Sequence, residues 1–441
     1  MIYNYRAVFA NVIIFINFAT SAVKIMKMRH LSSIFAALPL LAALFLLPSC
    51  DVSLDPVELE PARPLSLSTK QQAYVAGGNS FAFHFLDRME AEAGKDYVIS
   101  PLSMQFLLGM LLDGAKGETA AQICSTLGYG SGETELVDEY CRSMLSQLPN
   151  MDKRTRLELA NAIFVDEGYP LTDAYMSSVR KYYDAEVANL DFADIHGSAN
   201  KINKWCSDHT EGLVPKILDE TDPDMLAYLL NALYFKSQWR HSFNPASTVA
   251  ESFTHADGST SKLKMMKQYE TFDYTETESF QAVSLPYGNG AFLMTVLLPK
   301  GKEGTSAVTA YFRKTSWDNF RYSMYPCSVD LWLPRFETSF GMKLNDLLSA
   351  MGMPLAFDPK ADFSAMSAYA LCLSFVRQDA VIKVDEEGTE AAAISSAAMM
   401  KNTSVGSDAP PVIFHANRPF VYLISESSSG AILFAGRFSG K

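Results

Sequence analysis

The sequence predicts one α+β domain in which long helices come first and a large, mostly antiparallel sheet comes later. Apolar residues recur with helical spacing in the first third of the chain, whereas runs of β-branched and aromatic residues dominate the second half. The chain has 441 residues, of which 48% are apolar and 20% charged, so it can bury a large core. No low-complexity linker interrupts it after about residue 72. We therefore expect a single unit built from several layers.

Two early segments have the periodicity of packed helices. Their apolar positions are Phe81, Phe85, Leu86 and Met89 in the first, and Leu107, Leu108, Leu111 and Leu112 in the second. Gly114 and Gly117 interrupt the second segment, and Thr119 has the character of a new helix start. Four later segments are predicted as strands, namely Ala160–Val165, Val283–Pro286, Ala291–Pro299 and Ser328–Pro334.

The first fifty residues are predicted to direct export. A basic flank that ends at Arg29 precedes a mostly apolar run over 34–47, which is shorter than the ~20 residues of a spanning helix and typical of a signal peptide. The leader covers 1–49 and starts at Met1 or at Met28. Leu47 lies three residues before Cys50, with small Ser49 between them, and this resembles the lipobox of bacterial lipoproteins. The resemblance implies that Cys50 is the lipidated first residue of the mature chain; ordinary secretion and an uncleaved anchor are the alternatives.

The predicted mature chain begins with a tether and continues with one folded domain. Residues 50–71 are acidic and Pro-containing at their start, which favours a flexible tether, and the domain covers 72–441. With the leader and lipid, this organisation predicts a membrane-anchored protein of the bacterial cell envelope, periplasmic or at the cell surface; an extracellular protein is the alternative.

Charge and cysteine content exclude several classes of partner and cofactor. The whole chain has 37 basic and 49 acidic residues, a net charge of −12, and lacks the positive footprint that nucleic acid or an anionic membrane surface requires. Five cysteines follow Cys50, none in a CxxC pair, and most have apolar neighbours. Buried free thiols are therefore favoured over a disulfide framework, and neither a metal site nor a cofactor is predicted.

Motifs for enzyme chemistry do not occur in the sequence. It contains neither GxSxG nor HExxH. The glycines at 109 and 114 have P-loop spacing, but Ala115 follows where lysine is required. We predict that the protein is not an enzyme; an active site assembled from distant residues is the alternative.

A series of segments, taken together and in order, resembles the serpin family. The segments are Val98–Ser103, Gly114–Thr119, Ile202–Trp205, Thr210–Gly212, Leu230–Lys236 with Trp239 and Phe243, Leu285–Tyr287, Leu298–Pro299, Leu333–Phe336, Asp362–Ser364, Asp385–Ala393 and Asn417–Phe420. They extend over about residues 75–440. The resemblance implies the serpin fold, with three β-sheets, eight or nine helices and an exposed reactive-centre loop, here at about 386–411.

The resemblance also implies a function and a partner. Inhibitory serpins are irreversible suicide substrates: a serine protease, or in some cases a cysteine protease, attacks the loop, and the cleaved loop inserts as a new strand into the largest sheet. We expect a monomer that forms a covalent complex with its target protease. A non-inhibitory serpin that acts as a binding or chaperone-like module is the alternative.

The loop itself has the composition of an inserting strand. Residues 391–400 contain no charge, no proline and no glycine, so they can enter a central strand without burying an ion or losing a ladder bond. The first prolines after them are Pro410 and Pro411. The predicted hinge consists of Glu386, Gly388, Thr389, Glu390, Ala391, Ala392 and Ala393.

The position of the scissile bond follows from the family's usual spacing. Counting seventeen residues from Glu386 places the cut between Asn402 and Thr403. A shorter loop would place the cut after Lys401 or Met400, and counting back from the C-terminal anchor gives a position near 408. The hinge count is favoured because insertion length is what the mechanism constrains.

Further residues are expected where the sheet must open. The resemblance places Ser100, Ser103 and Asn231 in a hydrogen-bonding cluster beneath the largest sheet. It also places Trp332 where many relatives have a histidine in that cluster, and Trp239 at the top of the sheet, where insertion begins.

Overall fold

The computed structural model describes residues 60–92, 96–374, 376–389 and 410–440. In these ranges the α-helices are α1 (Thr69–Glu92), α2 (Pro101–Gly114), α3 (Gly117–Leu127), α4 (Thr134–Gln147), α5 (Asp173–Tyr183), α6 (Ile195–His209), α7 (Ser306–Phe312), α8 (Trp317–Arg321) and α9 (Asn345–Met351). Short 3-10 helices occur at Leu148–Asn150, Pro245–Ser247 and Pro354–Phe357.

The strands of the described ranges divide into an early group and a late group. The early group is β1 (Tyr97–Ile99), β2 (Thr155–Asp166), β3 (Glu186–Leu190), β4 (Ala227–Gln238), β5 (Val249–Thr254), β6 (Thr260–Glu276), β7 (Phe280–Pro286) and β8 (Phe292–Pro299). The late group is β9 (Tyr325–Pro334), β10 (Phe336–Lys343), β11 (Arg377–Val384), β12 (Gly388–Thr389), β13 (Val412–His415), β14 (Phe420–Glu426) and β15 (Ile432–Phe438).

The strands of the described ranges form two hydrogen-bonded sheets. A nine-stranded sheet has the order β1-β15-β14-β8-β7-β6-β9-β13, with β5 also paired to β6, and a six-stranded sheet has the order β10-β11-β12-β4-β2-β3. Pairing is antiparallel except for β2 with β3 and β9 with β13. The predicted α+β class is confirmed.

The resemblance implied three sheets, and the long strand β6 explains the difference. This 17-residue strand pairs with β5 at its start, with β9 along its middle and with β7 over its last residues. It therefore joins two groups of strands, β5-β6-β9-β13 and β7-β8-β14-β15-β1, that would otherwise form separate sheets.

The predicted helices and strands are present. The segment around Leu107 is α2, and every residue of this helix except Asp113 is buried. The next helix begins at Gly117, two residues before the start expected at Thr119. Three of the four predicted strand segments lie within β2, β7 and β9, and the fourth coincides with β8 except that the strand begins at Phe292, one residue later than predicted.

The six-stranded sheet is covered on both faces. Phe235 of β4 belongs to the main core, which also contains α2 and the nine-stranded sheet. On the opposite face, Ile202 and Trp205 of α6 pack with Phe164 of β2 and Tyr228 of β4 in a second cluster. A strand added to this sheet would therefore have one side against α2 and the other towards α6.

The five described cysteines are free thiols. Cys124, Cys141 and Cys206 are buried, as predicted, whereas Cys327 is partly exposed and Cys372 is exposed, so the expectation of burial was wrong for Cys372. The predicted leader 1–49 and the lipidation residue Cys50 lie outside the described residues. Among the helices that are described, none combines the length and apolarity needed to cross a membrane.

Candidate functional site

A cleft between β4 and β11 is the main feature of the six-stranded sheet. Only the two residues of β12 lie between these strands in the described part of the chain: Thr389 is opposite Ser237 of β4 and also opposite Val384 of β11. Beyond Thr389, no register joins β4 to β11 within the described ranges. Because β12 is antiparallel to both neighbours, β4 and β11 are parallel to each other, and a strand that continued β12 would be antiparallel to both.

A tight turn delivers the chain into this cleft. The Asp385 N–H donates to Gly388 O (3.0 Å), and Asp385 Oδ1 accepts from the N–H groups of Glu387 (2.9 Å) and Gly388 (3.3 Å). A Cβ atom at Gly388 would lie 2.0 Å from Ser237 O, so only glycine allows β12 to approach β4 this closely.

Aromatic residues anchor the first inserted side chain. The side chain of Thr389 is 1% exposed, and its hydroxyl lies 2.5 Å from the Tyr287 hydroxyl. The Trp239 ring stacks on Tyr287 with 4.3 Å between centroids, and Trp239 Nε1 donates to Asp385 O (2.9 Å). Trp239 therefore lies at the top of the cleft, where the resemblance places it, and Tyr287 is a contact that the sequence analysis missed.

An ion pair between a buried carboxylate and an exposed guanidinium holds the turn from outside the cleft. Glu386 Oε2 lies 2.5 Å from Arg335 Nε, and the Thr248 hydroxyl donates to Glu386 Oε1 (2.5 Å). The Glu386 side chain is 4% exposed and that of Arg335 41% exposed. Burial acts to raise the pKa of Glu386, but the bonds from Arg335 and Thr248 outweigh it and hold that pKa below its usual value.

Gln378 occupies the centre of the cleft floor. Its Nε2 donates to Ser100 O (2.8 Å) and its Oε1 accepts from Ser100 N–H (3.2 Å). Ser100 caps α2, accepting at Oγ from the N–H of Ser103 (3.1 Å). The sequence analysis missed Gln378. The feature of the sequence that could have identified Gln378 is its place in the alternating pattern of β11. It is the polar member of a series of buried, inward-facing positions in which Ala380 and Ile382 are apolar.

Trp332 does not belong to this cluster, and the expectation that it replaces a histidine there was wrong. It lies on β9 in the nine-stranded sheet, where its ring stacks on His415 (3.9 Å between centroids) and Lys267 Nζ lies 3.6 Å above it. A short sequence motif predicts a strand but does not reveal which sheet that strand joins. The side chain that bonds to Ser100 is instead Gln378 of β11, which lies 278 residues later in the chain.

Asn231 marks the facing side of the cleft. It lies on β4, and its Nδ2 donates to Asn161 Oδ1 (2.8 Å) on β2. Its Oδ1 is buried and has no hydrogen-bond partner in the part of the chain that is described. An unpartnered acceptor at this edge is available to a group that enters the cleft.

The cleft continues into a mostly apolar cavity of about 300 Å³. Its lining includes Met104, Leu107 and Leu111 of α2, Leu229 and Leu233 of β4, and Val376 and Ala380 beside or on β11. Such a surface can receive small apolar side chains. Within the described ranges, no three His, Cys, Asp or Glu side chains are grouped as metal ligands.

The remaining predicted site residues cannot be placed. The hinge residues Glu390, Ala391, Ala392 and Ala393 and the candidate cleavage residues Met400, Lys401, Asn402 and Thr403 lie outside the described residues.

Comparisons with known proteins agree with this geometry. A family model described as "Serpin (serine protease inhibitor)" matches residues 76–440. A serpin-like protein of Methanosarcina mazei is 31% identical over 371 residues, covering 82% of this chain and 86% of the relative. The thermophilic serpin tengpin in its native state superposes with a TM-score of 0.76 at 27% identity, covering 87% of this chain and 98% of tengpin. Thyroxine-binding globulin in complex with thyroxine superposes with a TM-score of 0.73 at 27% identity, covering 83% of this chain and 98% of the globulin.

Proposed function

The chain belongs to the serpin family, and from that premise we propose that it is an irreversible inhibitor of serine proteases, with cysteine proteases as a second class of target. The observation that supports the proposal is the cleft between β4 and β11, which already holds Gly388 and Thr389 in register with β4 and Thr389 in register with β11. The residues that follow them, 391–400, carry no charge, proline or glycine.

Extending the register of Thr389 predicts how the cleaved loop would fill the cleft. If the pairing continued residue by residue, position 399 would lie opposite Ala227, the first residue of β4. Position 396 would lie opposite Arg377, the first residue of β11. Ser395 would then lie opposite both Asn231 and Gln378, the two polar residues at the centre of the cleft. Its hydroxyl could donate to the unpartnered Oδ1 of Asn231.

The alternation of side chains suits the two faces of the sheet. Thr389 points inward, so every second residue after it would face α2; these residues are Ala391, Ala393, Ser395, Ala397 and Met399. All are small or apolar, as the cavity lining requires. Glu390 would point to the opposite face, so its carboxylate need not enter the apolar side of the cleft.

The energy of insertion is sufficient to trap an enzyme. The register gives about 10 new positions along β4 and about 7 along β11, at about one backbone hydrogen bond each. At ~1 kcal/mol net per bond, insertion is favoured by on the order of 15 kcal/mol.

The chemical step is ordinary acyl transfer, stopped halfway. The protease hydroxyl or thiol attacks the carbonyl carbon of the scissile bond, the C–N bond breaks, and the amine leaves with a proton, so the inhibitor becomes an ester or thioester of the enzyme. Insertion of the ~10 residues that this register accommodates, at ~3.3 Å each, moves that linkage by roughly 33 Å. Because a displacement of ~1 Å can cost ~10²-fold in rate, the enzyme can no longer hydrolyse it.

The scissile bond is proposed to be Asn402–Thr403, with cleavage after Lys401 or Met400 as alternatives. A register that ends near position 399 leaves two residues of linker, Met400 and Lys401, before the acylated residue Asn402, consistent with full insertion. Mass spectrometry of the cleaved loop or the adduct identifies the bond directly.

The experiment that tests inhibition mixes the purified protein with trypsin, chymotrypsin and pancreatic elastase separately. The proposal predicts an adduct that survives SDS and boiling with at least one of them, and loss of that enzyme's activity. Cleavage of the loop by all three with neither adduct nor inhibition would contradict it. That outcome is instead the one expected of a binding module, and thyroxine-binding globulin, which binds thyroxine, is an example of such a protein with a similar fold.

A lipid anchor at Cys50 is proposed separately, from the leader and its lipobox-like end. The mature protein would then be held in the cell envelope by its tether, facing the periplasm or the cell surface. Metabolic labelling with a tritiated fatty acid should label the wild-type protein and not Cys50→Ser, which should fractionate away from membranes. Equal labelling of both would overturn this assignment.

A further inference from the structure

Two carboxyl groups meet in the buried region where α2, α4 and α5 pack together. Asp113 is near the end of α2, and Asp138 lies in the first half of α4 with 3% of its surface exposed. The two side chains are close enough to share a hydrogen bond when one of them is protonated. The Tyr183 hydroxyl donates to Asp138 Oδ1 (2.6 Å), whereas Asp113 Oδ2 is buried without a partner in the described part of the chain.

The pair has no counter-charge among the groups that act most strongly on it. The titratable or hydroxyl groups that face it are Glu135 and Cys141 from α4, and Tyr175, Ser178 and Tyr183 from α5. All are acids or hydroxyls and none is a cation. Two carboxylates in contact cannot both be charged in such a place without strong repulsion, so at least one must hold a proton for the site to be satisfied.

The titration of the pair falls in an accessible range. Burial is the main cause that raises the pKa of Asp138, to about 7, and burial also raises the pKa of Asp113. The site therefore passes from one shared proton to none as the solution goes from mildly acidic to mildly alkaline.

A chain of hydrogen bonds leads from the pair to the edge of the cleft. Tyr183, which holds Asp138 through its hydroxyl, accepts at its backbone oxygen from Asn161 Nδ2 (2.7 Å). Asn161 Oδ1 in turn accepts from Asn231 Nδ2 (2.8 Å) on β4. At the other end, Gly109 of α2 leaves room for the Tyr183 hydroxyl, because a Cβ there would lie 2.6 Å from it.

We propose that Asp113 and Asp138 form a proton-operated clasp that ties α2 to α4 behind the cleft and loosens when the solution becomes alkaline. In the closed state a proton on one carboxyl is donated to the other. In the open state that proton has gone to solvent, and the two carboxylates repel each other. Any effect on loop insertion rests on the proposed inhibitory function, whereas the effect on the intact fold does not.

The clasp predicts a definite direction for stability against pH. The unfolded chain releases the proton near pH 4 and the folded chain near pH 7, so the pair's contribution to stability is highest below about pH 4 and falls between these values. The loss is about tenfold in the folding equilibrium per pH unit. For a domain of this size that corresponds to about 2 °C in melting temperature per pH unit.

The test uses Asp138→Asn, which keeps an acceptor for Tyr183 and gives Asp113 a permanent donor. Glu139→Gln is the matched control, because Glu139 is exposed on the same helix. Melting temperatures of the purified intact protein are measured from pH 4.5 to 8 at one scan rate. We expect Asp138→Asn to exceed wild type by a margin that grows to about 5 °C near pH 7, while the control follows wild type.

Equal pH profiles for wild type and Asp138→Asn would overturn the clasp, even if the protein inhibits proteases. If Asp138→Asn fails to fold, Asp113→Asn provides the same comparison from the other side. Hydrogen exchange adds a readout of the connection to the cleft. Peptides containing Asn161 and Asn231 should lose protection at pH 8 relative to pH 5.5 in wild type only, and equal losses in the variant would contradict the connection.

Discussion

Thr389→Arg is the substitution that separates insertion of the loop from its cleavage. Thr389 is 1% exposed and points at Tyr287, so an arginine side chain at this position must either be buried or leave the sheet. An unpaired buried ion costs several kcal/mol. At 1.36 kcal/mol per tenfold, a cost of about 4 kcal/mol lowers the population of the inserted hinge about a thousandfold.

A loop whose inserted hinge is a thousandfold less populated should lose the race against hydrolysis of the acyl-enzyme. We therefore expect Thr389→Arg to be cleaved at the same bond as wild type but to yield free enzyme in place of an adduct. The assay titrates a susceptible protease with each variant and compares residual activity with the amount of adduct on SDS gels. Ala256→Arg, in the exposed turn between β5 and β6, controls for the added charge and should inhibit normally. An undiminished yield of adduct from Thr389→Arg would refute the role of the cleft.

Three other predictions concern the residues around the cleft. Arg335→Ala should lower the free energy of unfolding in urea by about 1–3 kcal/mol, because Glu386 stays buried without its cation. The advantage of wild type over the variant should be present above about pH 4.5 and lost as the pH falls through the lowered pKa of Glu386. A difference that does not depend on pH would contradict this assignment. Gln378→Ala should lower the free energy of unfolding by about 2 kcal/mol in the same measurement, since it removes two hydrogen bonds to Ser100, the cap of α2. A decrease of less than about 0.5 kcal/mol would show that these bonds are dispensable. In the cleaved protein Ser395→Ala should lower the melting temperature more than Ser396→Ala, whose side chain would face the other side of the sheet; equal effects would reject the proposed register.

Local patterns in the sequence were sufficient for the framework of the fold. The apolar spacing around Leu107 predicted α2, and the run Ala291–Pro299 predicted β8, because burial on several sides leaves a strong signal in one short segment. The order of family-like segments supplied the overall architecture, including the position of Trp239 at the top of the cleft.

The contacts that define the cleft could not be predicted in the same way. Gln378 meets Ser100 across 278 residues, and Trp332 joins the other sheet, since pairing partners depend on the register of strands far apart in the chain. Asp138 is one of 49 acidic residues, and nothing adjacent to it in sequence distinguishes it from a surface carboxylate. Only the packing of three helices brings it against Asp113.

The melting temperature of the intact protein compared with that of the loop-cleaved protein is the most direct measurement of whether the cleft accepts the loop. A metalloprotease such as thermolysin, which forms no acyl-enzyme, can nick the loop, and both forms are then heated at one scan rate. Addition of a central strand worth on the order of 15 kcal/mol should raise the midpoint by at least 10 °C. An unchanged or lower midpoint after complete cleavage would contradict insertion and with it the proposed mechanism of inhibition.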